Sequence, residues 1–166
     1  MDRSLAELSR LLGRALSARG WTLATAESCS GGLLAGAITA TPGSSVWFDR
    51  GFVTYSNESK MELLGVTPAT LARHGAVSEE TALEMALGTI AHSRADVAVA
   101  ITGIAGPDGG SAAKPVGTVW LAWRQRCGNV QAETHCFPGD REAIRHCAVT
   151  VALERLISLA EADANP

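Results

Sequence analysis

The sequence predicts an α/β protein, a three-layer α/β/α sandwich on a mixed, mostly parallel sheet. Three observations carry that expectation. Helical patterns and short apolar runs interleave along the chain instead of being sorted into separate halves. Ala95 to Ile101 is nearly all apolar, as in a central strand covered on both faces. It empties into the glycine-rich Thr102-Gly103-Ile104-Ala105-Gly106-Pro107-Asp108-Gly109-Gly110, the kind of loop that holds a ligand after a buried strand. Finally, Thr118 to Arg124 and Val130 to Phe137 read as strands joined through Cys127-Gly128-Asn129, a hairpin by spacing and turn chemistry.

Each element has a local reason. Ser4-Leu5-Ala6-Glu7 is a capping box, and Leu5, Leu8, Leu12 and Leu16 recur at helical spacing until Gly20, so a helix is expected from Ser4 to Arg19. Trp21 to Thr25 follows as the first strand, and Gly31 to Ala40 as a helix stopped by Thr41-Pro42-Gly43. Gly36 within that helix suggests close packing against a neighbour. Trp47 to Ser56 reads as a second strand, ending near Tyr55. Asn57 is the expected cap of a short helix, Glu58 to Leu64, terminated by Gly65. Thr67-Pro68 opens another turn of helix, and Ser78-Glu79-Glu80 caps one reaching to Ser93. Asp140 caps a long last helix to Glu161, beyond which the final residues read as frayed.

A chain of 166 residues, 46% hydrophobic and 19% charged, suits one well-buried core, and the whole of 1–166 reads as a single domain. A formal charge of -3 gives no footprint for nucleic acid or an anionic membrane, while a local basic pocket for one phosphate stays open. The amino terminus lacks the build of a signal peptide and no apolar run is long enough for a membrane span, so a soluble cytoplasmic protein is expected. Cys29, Cys127, Cys136 and Cys147 show no paired spacing and read as free thiols.

The chemistry is expected at Ala26-Glu27-Ser28-Cys29-Ser30-Gly31-Gly32, a strand-to-helix turn with three nucleophile candidates and two glycines that open the helix with unpaired N–H groups. A hydroxyl or thiol beside such donors can attack a carbonyl and have the oxyanion held in place. Spacing alone does not choose among Ser28, Cys29 and Ser30. Lys60 lies in the first turn of its helix, where the positive end of the dipole favours a neutral amine and equips it as a general base. Tyr55, the single tyrosine, is placed to hydrogen-bond or stack in the same pocket. In Gly139-Asp140-Arg141-Glu142-Ala143-Ile144-Arg145, Arg141 and Arg145 share one face of the helix start, a phosphate or carboxylate site. His135-Cys136 and His146-Cys147 tempt a metal assignment, but adjacent side chains diverge on a strand or helix, so no metal or cofactor is expected.

With those residues in view, the chain resembles the CinA C-terminal family, the nicotinamide-nucleotide amidases. The matching stretches are Thr25-Ala26-Glu27-Ser28-Cys29-Ser30-Gly31-Gly32; Gly51 to Asn57 with Lys60; Gly75-Ala76-Val77-Ser78-Glu79; Thr102 to Pro107 with Lys114-Pro115-Val116-Gly117-Thr118; and Gly139-Asp140-Arg141. The resemblance implies hydrolysis of nicotinamide mononucleotide to nicotinate mononucleotide and ammonia, without a cofactor, with Ser28 as nucleophile and Lys60 as its base. On that reading Tyr55 orients Lys60 or the ring, N–H groups near Ser30, Gly31 and Gly32 hold the oxyanion, Thr102 and Gly103 shape the pocket, and Arg141, with Arg145, takes the phosphate. Ser30 stands where the family often has threonine, and many members carry a second, N-terminal domain. The alternative reading is a non-catalytic nucleotide-binding module linked to competence or DNA damage; a homo-oligomer is left open.

Overall fold

The computed structural model describes residues 3–162. Among these residues six α-helices and five strands follow in chain order: α1 (Leu5–Arg19), β1 (Leu23–Glu27), α2 (Leu33–Thr39), β2 (Phe48–Val53), α3 (Asn57–Leu64), α4 (Pro68–His74), α5 (Glu79–Ala91), β3 (Val97–Gly103), β4 (Thr118–Gln125), β5 (Val130–Cys136) and α6 (Arg141–Ala162). The caps follow the sequence. Ser4 accepts from the Glu7 N–H, Thr67 from Thr70 and Ser78 from Thr81, and Gly20 and Gly65 close their helices in the left-handed region. The residues expected to fray, 163–166, lie outside the described residues. Among the described residues, no helix is long and apolar enough to cross a membrane.

The strands lie in the order β2-β1-β3-β4-β5. The β2–β1 and β1–β3 ladders are parallel, whereas β3–β4 and β4–β5 are antiparallel. β4 therefore runs against the other four strands, and the sheet is mixed as expected. Alternation along the central strands builds two unlike faces. Leu23, Val97, Val99, Ile101, Val119 and Leu121 pack under α1, α2 and α6, where Leu8, Leu12 and Leu16 are fully buried. Each such leucine contributes about 2 kcal/mol through removal of apolar surface from water. On the opposite face Ala26, Ala100 and Ala122 present only methyl groups, and Ala82, Met85 and Ala86 of α5 pack on them.

Several expected details shift. β1 begins at Leu23 instead of Trp21, because Trp21 turns out beneath the Arg19 guanidinium (4.1 Å to the ring centroid) and the Thr22 N–H donates to Asp96. β1 then continues to Glu27, two residues beyond the expected end. The cap of α3 is Ser56, whose hydroxyl accepts from the Ser59 N–H, and Asn57 is the first helical residue. Gly36 faces open space; the close helix crossing is at Gly88, where an added Cβ would lie 1.9 Å from the Leu64 carbonyl oxygen of α3.

The topology creates the crevice. From β1 the chain goes to β2 on one side, through α2 on one face, and returns to β3 on the other side of β1 after α3, α4 and α5 on the opposite face. The carboxyl ends of β1 and β3 thus diverge into loops that leave in opposite directions, which is where open α/β sheets bind ligands.

Candidate active site

Ser28 follows β1 directly. Its N–H donates to the Ile101 carbonyl of β3 (2.9 Å), extending the ladder by one bond and bringing its side chain to the floor of a cleft of about 310 Å³. Gly31 and Gly32 come next, both with positive φ (58° and 99°), a run that side chains disfavour and that lets the chain reverse into α2. The cleft is also lined by Tyr55, Lys60, Thr102, Gly103, Asp108 and Arg141.

Lys60 reaches the same floor from α3. Its Nζ lies 2.9 Å from Ser28 Oγ, 2.7 Å from the Thr54 carbonyl oxygen and 3.3 Å from that of Tyr55, and the residue is 1% exposed. Burial pulls its pKa from 10.5 down to about 8. The partners fix what the neutral amine can do. Carbonyl oxygens only accept, so the two amine hydrogens go to Thr54 and Tyr55, and the lone pair is left for the Ser28 hydroxyl. That is the arrangement a general base needs.

The neighbouring candidates do not share it. Burial pushes the Cys29 thiol up to about 11, so it remains protonated at neutral pH. The Ser30 hydroxyl is fully enclosed and, among the described residues, its oxygen has no hydrogen-bond partner. Of the three nucleophiles left open by spacing, Ser28 alone meets the amine.

The turn's N–H groups are partly occupied. Gly31 N–H donates to the Ser28 carbonyl and Leu33 N–H to that of Ser30. Leu34 and Ala35 N–H groups donate to the two carboxylate oxygens of Glu27, at 2.8 and 3.1 Å. Ser30 and Gly32 N–H groups have no such acceptor among the described residues, whereas the Gly31 N–H, also expected to face an oxyanion, is taken up by Ser28. Glu27, 1% exposed, is the residue that sequence reasoning missed. The signal was there: the N-cap of α2 is Gly32, which has no side chain to cap the helix, so its orphan N–H groups require an acceptor from elsewhere.

Thr102 is 1% exposed and its hydroxyl donates to the Ala76 carbonyl (2.8 Å), tying the loop before α5 to the cleft wall. A Cβ at Gly103 would lie 2.7 Å from Val119 Cγ2, so glycine there allows β3 and β4 to close along the cleft wall. Arg141, held at the start of α6 by the Asp140 cap, donates to the Gly106 carbonyl (2.7 Å) and to the Tyr55 hydroxyl (3.2 Å). The Tyr55 side chain is exposed at the cleft edge while its main chain holds Lys60. Arg145 does not join Arg141: it is not among the lining residues, and its guanidinium donates to the Ser30 carbonyl at 3.0 Å. His135 has its Nε2 2.7 Å from a Glu133 carboxylate oxygen.

Fold and cleft define an α/β/α protein with a buried hydroxyl–amine pair at the switch point of its sheet and an arginine across the opening. Comparison with known proteins carries this further. The CinA C-terminal domain model matches residues 5–160, and the chain belongs to that family. It is 56% identical over 155 residues to the nicotinamide-nucleotide amidohydrolase PncC of Escherichia coli K12, covering 93% of this chain and 94% of that protein. A putative competence-damage inducible protein of Symbiobacterium thermophilum is 54% identical, with 88% of this chain matching only 36% of that longer protein. The crystal structure of competence/damage inducible protein CihA from Agrobacterium tumefaciens superposes with a TM-score of 0.92 at 50% identity, covering 96% of this chain and 97% of that one.

Proposed function

We propose that this chain is an amidohydrolase that converts nicotinamide mononucleotide and water to nicotinate mononucleotide and ammonia, with Ser28 as nucleophile and Lys60 as base. The observation that carries the reading is the 2.9 Å contact between Ser28 Oγ and a buried amine whose pKa is depressed to about 8. The PncC relative, similar over nearly its whole length, supports the same substrate.

The substrate's cationic pyridinium draws electrons from its carboxamide and makes that carbon easier to attack. Neutral Lys60 takes the Ser28 proton as Oγ bonds to the carboxamide carbon. The oxyanion is received by the Ser30 and Gly32 N–H groups, a kind of interaction whose loss typically costs about 3 kcal/mol of barrier. The Lys60 ammonium then protonates the departing nitrogen, ammonia leaves, and an ester to Ser28 remains. Water, giving its proton to Lys60, attacks that ester, and the proton returns to Ser28 Oγ as nicotinate mononucleotide is released. Arg141 receives the phosphate, and Tyr55, whose hydroxyl accepts from Arg141, stands at the same edge of the cleft.

Ammonia release from the mononucleotide by wild type and Ser28→Ala tests the reading. The expected result is turnover by the wild type and none above background by the variant. Wild-type rates from Ser28→Ala would remove serine from the reaction, and binding without turnover by the wild type would leave a non-catalytic nucleotide-binding module.

A further inference from the structure

We propose that Arg145 is a positioning residue for the nucleophile turn, holding the Ser30 peptide and setting a positive charge behind the oxyanion site without touching the substrate. The inference rests on the amidohydrolase reading of this cleft.

Arg145 sits one turn beyond Arg141 on α6, yet the two point to different tasks. Arg141 lines the cleft, whereas Arg145 donates Nη2 to the Ser30 carbonyl, a contact spanning 115 residues of sequence. That carbonyl also accepts from the Leu33 N–H, so it is fixed from two sides. A peptide group is planar, and fixing the Ser30 carbonyl fixes the Gly31 N–H at its other end, which donates to Ser28. The bond from Arg145 thereby sets the turn that carries both Ser28 and the two open N–H groups.

Two further features separate this side chain from a simple packing element. Its Nε is buried with no partner among the described residues, so an apolar side chain would fill the space without leaving an orphan donor. Its charge also reaches the turn. Burial is the main influence on the Cys29 thiol and raises its pKa, while the Arg145 cation acts in the opposite direction, favouring the anion. Cys29 is the residue next to Ser28, so the same field falls on negative charge developing there.

The test compares Arg145→Met, Arg145→Gln and Arg145→Lys, with folding checked by circular dichroism. Gln keeps a donor without the charge, and Lys keeps both. Two readouts are used: steady-state kinetics on nicotinamide mononucleotide, and the rate at which phenylmethylsulfonyl fluoride labels Ser28, with Ser28→Ala as blank. The expected result for Arg145→Met is a kcat lower by roughly tenfold to a hundredfold with KM within about twofold, and slower labelling. Lys should recover most of both, and Gln should fall between. If Met does not fold, the Gln and Lys pair decides by the same criteria. A raised KM with kcat intact would make Arg145 a phosphate ligand and overturn the proposal, as would unchanged labelling. Should the wild type release no ammonia while Ser28 labelling still depends on Arg145, the substrate reading fails and the positioning role stands. A wild type that neither releases ammonia nor is labelled at Ser28 overturns both.

Discussion

Replacing Lys60 with methionine keeps most of the side chain's length and removes its amine. A base with a midpoint at about 8 instead of 10.5 is neutral in about one molecule in ten at pH 7, against roughly one in three thousand for an ordinary lysine. Burial thus raises the population of competent base by about two and a half orders of magnitude. Wild-type kcat/KM should climb close to tenfold per pH unit below the midpoint and level off above about 8. Lys60→Met should lose roughly a hundredfold to ten-thousandfold in kcat/KM, together with that rise. The same displacement acts on stability. The folded pKa lies below the unfolded one, so between about 8 and 10.5 the unfolded chain holds the extra proton and folding stability increases with pH, by about 3 kcal/mol in total. Below that window the penalty is constant. Cys29, raised from 9.0 to about 11, works the other way, and its contribution is lost as pH climbs through that range. Subtracting the Lys60→Met curve from the wild-type curve isolates the lysine. Ammonia release and urea denaturation, each measured from about pH 6 to about pH 10, read the two effects. A Lys60→Met variant with the wild-type pH–rate midpoint would refute the base assignment, and a flat difference in stability would refute the burial argument behind it.

Other perturbations follow from the same geometry. Glu27→Gln leaves one buried N–H at the start of α2 without its acceptor and should cost about 2 kcal/mol, read as a melting temperature lower by roughly 5 °C. Arg141→Ala should raise KM for the mononucleotide by roughly tenfold to a hundredfold with kcat largely kept, as initial-rate kinetics will show. Gly88→Ala, whose methyl group would collide with the Leu64 carbonyl oxygen, should destabilise the fold by about 3 kcal/mol in urea titration without changing the pH–rate midpoint.

The layered fold was legible because its signals are local. Helix caps at Ser4, Thr67 and Ser78, the leucine spacing of α1 and the apolar run Val97 to Ile101 of β3 each state their own case. The Ser28–Lys60 pairing was not readable from spacing: 32 residues separate them, and only the parallel return of β2 alongside β1 brings α3 over the turn. Residue type suggested a helix start open to a ligand, yet Glu27 had already claimed two of its donors. A carboxylate at the end of an apolar run does not announce which N–H groups it will meet. Arg141 and Arg145 looked like one cluster because they share a helix face. What separates them is the loop at Gly106 and the turn at Ser30, which approach that face at different heights.

The acceptors that aim the Lys60 lone pair are main-chain oxygens, those of Thr54 and Tyr55. No exchange of the side chains at either position deletes those oxygens, so drift there can retune what enters the opening while the proton route keeps its direction. Relatives on this scaffold should be free to change appetite for one amide or another far more readily than they lose the ability to open one. Only proline or an insertion that bends the chain just past β2 would reach the aim itself.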